Sequence, residues 1–398
     1  MILAQHKLDV IKKSRSNFFD WRGQFTPEFI EYVLSAFAQE NDVVIDPFSG
    51  SGTVLAECAR KNLRCLGFEI NPAAFVLSEF YSFSNVALLE RQNIFSNVEK
   101  KIESISKKYI GKSVFIESFD YRFSYGNLLG YGRDLLRGVN SAQEKILLLH
   151  IIFSAERSSV KDLNLVIDQS SQYIKKLLFS LSFSKEFVKA FICDARLISK
   201  KSPSSGNLII TSPPYINVFN YHQNHRAIME LLGWDILKIA RSEFGSNRKN
   251  RGNRFKTVVE YALDMEQALL SFYDTLEKNG VIVLIVGRES NVRRVPFYNG
   301  KIIREIAEKL GCFCDIQNYE RSFLNKFGNC IKEDILILKK DTTKPCFNNA
   351  TDIAKRHLEL AVKYAPSEVV NDIIEVIKLV DTINPSPYFE TFSDKVNV

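Results

Sequence analysis

Short apolar runs that stop at a charge or a turn residue recur along much of the chain. Asp42–Asp46 reads DVVID, Arg64–Ile70 RCLGFEI, Phe187–Asp194 FVKAFICD, Asn207–Thr211 NLIIT and Gly280–Gly287 GVIVLIVG. Each is short for a helix and bounded by turn signals, which predicts buried strands. Between the first two lie PFSGSGT, a glycine-rich turn, and VLAECARKN, with helical spacing. Strand, turn, helix and strand make the first unit of a doubly wound parallel sheet, so the expected fold class is α/β and Rossmann-like. FCDIQNYE and EDILILKK predict an antiparallel pair closing that sheet, joined around Asn325–Asn329.

The interval between the second and third strands is far longer than a βα connection needs. NVEKKIESISKKYI and SAQEKILLLHIIFSAERSS within it have helical character. The tail adds ATDIAKRHLELAVKYA and SEVVNDIIEVIKLVDTI, with apolar positions three and four apart. The expected organisation is a catalytic domain over residues 1–84 and 186–340, a helical insertion over 85–185, and a helical C-terminal appendage over 341–398.

Composition narrows the classes of function only a little. The 398 residues are 45% hydrophobic and 25% charged, values that exclude a disordered chain. Seven cysteines, an odd number without paired short spacings, argue for a reducing compartment over a disulfide framework. The first residues, MILAQHKLDVIKKSRS, carry no signal-peptide run, and no stretch predicts a membrane span. The expected location is cytoplasmic. A net charge of +7 suits a polyanionic partner without requiring one.

The glycine turn brings in chemistry. Gly50 and Gly52 allow a ligand to approach the backbone after the first strand. Thr53 follows where a P-loop has Lys-Ser/Thr, and Asp46 before the turn repels phosphate but accepts from an ammonium group. Glu69, about twenty residues further on, suits both hydroxyls of a ribose. Asp194 suits an adenine amine. Singly, Glu69 is equally a solvated strand-end carboxylate and Asp194 a helix cap; together with the turn they fit S-adenosylmethionine, an α-amino acid joined to adenosine.

With DPFSGSGT, GFEINPAA, ICDAR and TSPPY in that order, the chain resembles the DNA amino-methyltransferases, which methylate the exocyclic nitrogen of cytosine or adenine. The resemblance covers residues 20–80 and 188–340 and departs from the family in the long insertion. It implies cofactor contacts at Asp46, Pro47, Phe48, Gly50, Gly52 and Thr53, at Glu69 with Ile70, and at Asp194 with Ala195. RGQFTPEFIEYVL looks like the segment folded over the methionine part, which implies Phe25, Thr26 and Pro27 beside it. The same residues also read as the start of an amphipathic helix.

The resemblance makes Ser212, Pro213, Pro214 and Tyr215 the catalytic motif. An exocyclic amine is a poor nucleophile, because its lone pair is delocalised into the ring. Ser212 Oγ and the Pro213 carbonyl can accept its two hydrogens, the double proline holds that carbonyl still, and Tyr215 stacks on a base swung out of the duplex. In the family Ser at the first position is commoner with cytosine, so the expected product is N4-methylcytosine in double-stranded DNA, within a restriction-modification or defence system, with a cognate restriction endonuclease or defence-system subunits as the expected partners. N6-adenine methylation, RNA methylation and a silent nucleic-acid-binding subunit are the alternatives.

His222 and His225, three apart, invite a metal reading but have no third ligand nearby, so surface or substrate-contacting histidines are expected and no metal. Pro345-Cys346, the only Pro-Cys pair, lies in the polar tail. RSEFGSNRKNRGNRFK, Arg241–Lys256, holds six basic residues against one acid. Arg248, Lys249, Arg251 and Arg254 are the expected DNA contacts; YRFSYGNLLGYGRDLLRG in the insertion is the other candidate for target recognition.

Overall fold

Alternate side chains along the strands of the central sheet feed two cores. A computed structural model describes residues 3–10, 13–114, 126–216, 221–245, 250–325, 328–347 and 349–395. The strands are β1 (Val43–Asp46), β2 (Arg64–Glu69), β3 (Val188–Ile192), β4 (Gly206–Thr211), β5 (Leu276–Gly287), a hairpin of β6 (Glu289–Val292) and β7 (Val295–Tyr298), then β8 (Phe313–Leu324) and β9 (Cys330–Lys340). Seven of them form one sheet in the order β3-β2-β1-β4-β5-β9-β8.

β1 to β5 run parallel, and β9 lies antiparallel between β5 and β8. The doubly wound sheet with its antiparallel closing strand is therefore as expected. Strand order reverses between β1 and β4, and ligands of such sheets bind in the crevice at that switch point, outside the carboxyl ends of the strands. Asp46 ends β1, Glu69 ends β2, Asp194 follows β3 by two residues, and Ser212 follows β4. One edge of the sheet thus gathers residues that are far apart in the chain.

Period-two alternation decides which core each residue joins. Val44 and Ile210 face one cluster with helices Pro27–Phe37, Thr53–Arg60 and Pro72–Glu79. The inserted helices Leu88–Ser106, Gly126–Leu136, Ala142–Glu156 and Leu163–Ser180 extend that same cluster. Ile45 and Ile209 face the other, with helices Lys256–Thr275, Asn299–Leu310, Ala350–Val362 and Ser367–Leu379. Beyond these helices the chain returns to the sheet, where Ser393 bridges Ile192 of β3.

The hairpin of β6 and β7 has no counterpart among the predicted elements, and the reason is local. Its two-residue turn uses Arg293 and Arg294 at φ +51° and +69°, a left-handed pair that Asn-Gly or Gly-Gly would ordinarily announce. Asn291 Oδ1 accepts from Arg294 N at 2.6 Å and supports the turn from outside it.

Candidate active site

The glycine turn is built by its neighbours as much as by its own sequence. Gly52 sits at φ +85°, and a Cβ there would lie 2.8 Å from Ser78 Cα and from the Tyr81 ring. Its absent side chain therefore lets the start of helix Thr53–Arg60 close on the helix beside it. Gly50 N–H donates to Glu69 Oε2 at 2.9 Å, and Asn71 N–H donates to Oε1 at 2.9 Å. Those two bonds hold the Glu69 carboxylate at the lip of the turn. Asp46 Oδ1 accepts from Thr211 Oγ1 at 2.6 Å and from Phe48 N at 3.2 Å.

A cleft of about 1150 Å³, counting its open mouth, runs along this edge. Of the residues expected to bind cofactor, Phe25, Asp46, Pro47, Phe48, Gly50, Thr53, Glu69, Ile70, Asp194 and Ala195 line it, together with Ser212, Pro213, Pro214 and Tyr215. Thr26, Pro27 and Gly52 are not among the lining residues. Thr26 occupies the N-cap position of helix Pro27–Phe37, though its hydroxyl makes no cap bond. The N-terminal segment meets the cleft through Trp21–Phe25 instead. Asn17 ties that segment down, accepting from Thr53 Oγ1 at 3.0 Å and donating to Phe25 O at 2.7 Å.

Ser212–Tyr215 leaves the end of β4 as a stiff shelf, and its support is tertiary. Asn299 Oδ1 accepts from Ile216 N at 3.2 Å while Asn299 Nδ2 donates to Gly287 O at 2.7 Å. A Cβ on Gly287 would stand 2.6 Å from the Tyr215 ring, so the bare backbone of β5 is the floor under that ring. The Tyr215 hydroxyl lies 3.5 Å from Ser212 Oγ and 3.4 Å from Glu333 Oε1. Burial and the Glu333 charge push its pKa well up, so at neutral pH it remains a donor. Arg321 faces Glu333 at 3.1 Å and lies over the Phe29 ring at 3.9 Å.

Asp194 lines the cleft with its carboxylate already engaged. Arg196 reaches it through N, Nε and Nη2 at 3.0, 2.9 and 2.6 Å, and Phe389 N adds a bond at 3.1 Å. Arg196 also donates to Asp264 at 2.9 Å and to the Ser386 carbonyl at 2.6 Å. The C-terminal segment is thereby fastened behind one wall of the cleft.

Both histidines are buried, in place of the expected surface or substrate-contacting positions. His222 lies in a short 3₁₀ turn, Tyr221–Gln223, and pairs with Glu243. His225 comes after that turn with φ +53°, stacks on Phe153 at 3.9 Å and bonds to Glu156. They share no helix face, and among the described residues no cluster of His, Cys, Asp and Glu could hold a metal. Among those residues too, no helix is long and apolar enough to cross a membrane.

Of the expected DNA contacts, Arg248 and Lys249 lie outside the described residues. Arg251 and Arg254 are exposed. Asn253 anchors their segment by donating to Asp372 O at 2.8 Å. The basic run starts at the cleft, since Ser242–Phe244 line it and a Cβ on Gly245 would fall 2.4 Å from Tyr215 O. Spacing had marked neither Thr211 as the partner of Asp46 nor Asn299, Glu333 and Glu243 as neighbours of the cleft.

Burial raises both carboxyls at this edge of the cleft. Asp46 is pushed up to about 7 by burial, with the Thr211 and Phe48 bonds opposing it. Glu69 is also raised to about 7 by burial, against the Asn71 and Gly50 bonds. In the ligand-free protein each group binds more protons folded than unfolded between its ordinary value and 7. Their contribution to stability therefore falls as pH rises through that window. A ligand that donates to both would draw out their ionised forms.

Residues 7–79 match the N6_N4_Mtase family model, described as DNA methylase. The type II methyltransferase M.MjaII of Methanocaldococcus jannaschii is 22% identical, over 77% of this chain and 76% of its own. The type II methyltransferase M.AvaI of Nostoc sp. is 20% identical, over 69% of each chain. Among solved structures, TrmN from Thermus thermophilus aligns at 12% identity and TM-score 0.32 over 80% of this chain and 50% of its own. At so low a score the fold assignment rests on strand order alone.

Proposed function

We propose that this chain, as an amino-methyltransferase of the N4/N6 family, binds S-adenosylmethionine in the cleft and methylates the N4 amine of a flipped cytosine in double-stranded DNA. The observation that carries this reading is the meeting, at one sheet edge, of ionisable Asp46 and Glu69 with the Ser212–Tyr215 shelf. Two relatives bear the name type II methyltransferase, which supports the modification half of a restriction-modification system with a cognate endonuclease.

The residues fit the cofactor by their chemistry. Asp46 meets the ammonium group, Glu69 meets the ribose, and the bare backbone of Gly50 lets the chain of the cofactor pass. Asp194, its carboxylate held by Arg196, borders the adenine with Ala195. Bound there, S-adenosylmethionine supplies an electrophilic methyl on a sulfonium.

Ser212 Oγ and the Pro213 carbonyl accept the two amine hydrogens, turning the nitrogen lone pair out of conjugation and toward that methyl. Tyr215 stacks on the base. Transfer would be a single displacement in which the nitrogen gains the methyl that the cofactor loses and gives up one proton, with Ser212 Oγ and the Pro213 carbonyl holding the amine throughout. No covalent enzyme intermediate is involved.

Nucleoside mass spectrometry after incubation with labelled S-adenosylmethionine and mixed DNA or RNA tests the reading. N4-methylcytosine in DNA is the expected product. Methyladenine alone would move the assignment to adenine, and label confined to RNA would remove DNA.

Cofactor affinity carries its own signature. Because burial raises Asp46 and Glu69 to about 7 while an α-ammonium group stays protonated to about pH 8, calorimetric affinity for S-adenosylmethionine rises between pH 6 and 7. Asp46→Asn flattens that rise, and an affinity independent of pH in the unaltered protein would exclude these carboxylates as the contacts. For the exposed arginines, Arg251→Ala with Arg254→Ala reduces the salt slope of DNA binding by about two. An unchanged slope would leave the segment a connecting loop.

A further inference from the structure

Glu243 is the single acid of the basic run Arg241–Lys256, and it points chemistry in an unforeseen direction. It is 8% exposed and lines the cleft with Glu69, Tyr221 and Phe244. His222 Nδ1 meets Oε2 at 3.1 Å, yet among the described residues Oε1 has no hydrogen-bond partner. A carboxylate oxygen buried without a donor is costly, and native proteins keep few of them unless a ligand or water completes the bond.

The end of the cleft that Glu243 serves follows from its electrostatic neighbours. Burial is the main cause that raises Glu69 and Tyr221, and the nearby Glu243 carboxylate adds to both, as Glu69 does for Tyr221, so the three groups are neighbours at one end of the cleft. Tyr221 stacks on Trp21 at 5.9 Å, and a Cβ on Gly50 would come within 3.3 Å of Trp21. This is the Glu69 end of the cleft. The ammonium acceptor, Asp46, already bonds Thr211 and Phe48, and the target amine has its own acceptors at Ser212 and Pro213. A donor that approaches Glu69 would relieve the repulsion and fill the empty lone pairs of Oε1.

We propose that Glu243, oriented by His222, is a second acceptor for the ribose hydroxyls of the cofactor, beside Glu69. The inference rests on the cofactor reading above. It makes the post-motif segment part of the nucleoside pocket as well as the start of the basic run. His222 is a positioning residue, fixing the carboxylate through Oε2 so that Oε1 faces the ligand.

Calorimetry with S-adenosylhomocysteine and its 2′,3′-dideoxy counterpart provides the test. Loss of one hydrogen bond to a charged group corresponds to roughly a 10-fold or greater loss of affinity. Glu243→Leu is therefore expected to weaken S-adenosylhomocysteine by about 10-fold while weakening the dideoxy compound little, so the two changes are coupled. His222→Phe gives a smaller change of the same pattern.

Equal weakening of both compounds, or no change in either, would overturn the assignment. So would a rise in KM for DNA at unchanged cofactor affinity, which would move Glu243 to the target base. Should Glu243→Leu fail to fold, Glu243→Met carries the same comparison, with no oxygen acceptor in its place. If the unaltered protein binds neither compound, the cofactor reading itself has failed.

Discussion

Alanine at Ser212 lowers kcat by on the order of 10²–10³-fold, the loss associated with removing one polar group that acts on the transition state. S-adenosylmethionine binding, measured by calorimetry, stays within about twofold, because the cofactor contacts lie on other strands. Tyr215→Ala costs less: base–aromatic stacking is worth about 1–3 kcal/mol, or roughly 5- to 150-fold in rate. Tyr215→Phe separates ring from hydroxyl. If the bond toward Glu333 and Ser212 merely sets the ring's angle, Phe retains most of the activity.

Gly287→Ala reports on the same ring from below. Its new Cβ, 2.6 Å from the Tyr215 ring, displaces the ring without touching substrate. It should therefore reproduce the Tyr215→Ala rate with cofactor affinity intact. Full turnover in Ser212→Ala and Tyr215→Ala would remove the shelf from the mechanism.

Arg196→Met is expected to be the most destabilising single change in the wall of the cleft. Arg196 is fully buried against Asp194 and Asp264. Removing one member of a buried charge network typically costs about 3–5 kcal/mol, because the partners are left uncompensated. Methionine keeps the volume, so the effect isolates charge from packing. Differential scanning calorimetry should show a drop in Tm of about 5 °C.

The pH dependence of that loss has a definite sign. Burial raises Asp264 to about 7 even with Arg196 beside it. Above that value Arg196 meets an ionised partner, and its removal costs most; as pH falls through 7 Asp264 is protonated and that part of the difference is lost. A Tm difference that grew toward acid pH would contradict the network. The Arg196 bonds to the Ser386 and Pro387 carbonyls add a second readout. The variant should also expose the C-terminal segment to proteolysis.

The periodicity of the chain was enough to find β1 to β5, β8 and β9, since a buried strand writes its own apolar run and a helix its own spacing. The same local rule located the turn at Gly50–Gly52 and the acids at strand ends, where a side chain's place follows from its own strand. Asp46, Glu69 and Ser212 stand at one sheet edge for that reason, each at the carboxyl end of its own parallel strand.

What local pattern could not carry was any relation between distant segments. Arg293 and Arg294 turn a hairpin that no glycine announces, held by Asn291 from outside the turn. The support under Tyr215 comes from Gly287 and Asn299, and the grip on Asp194 from Arg196, Ser386 and Phe389. Glu243 looked like a lone acid diluting a basic run; the fold buries it beside His222 in the wall of the cleft. The sequence by itself determined which residue types stand at the ends of which strands. Only the tertiary structure decided which side chains share a buried space. Hydrogen bonding and desolvation act across space without regard to separation along the chain, and here they join residues as far apart as Asp194 and Phe389.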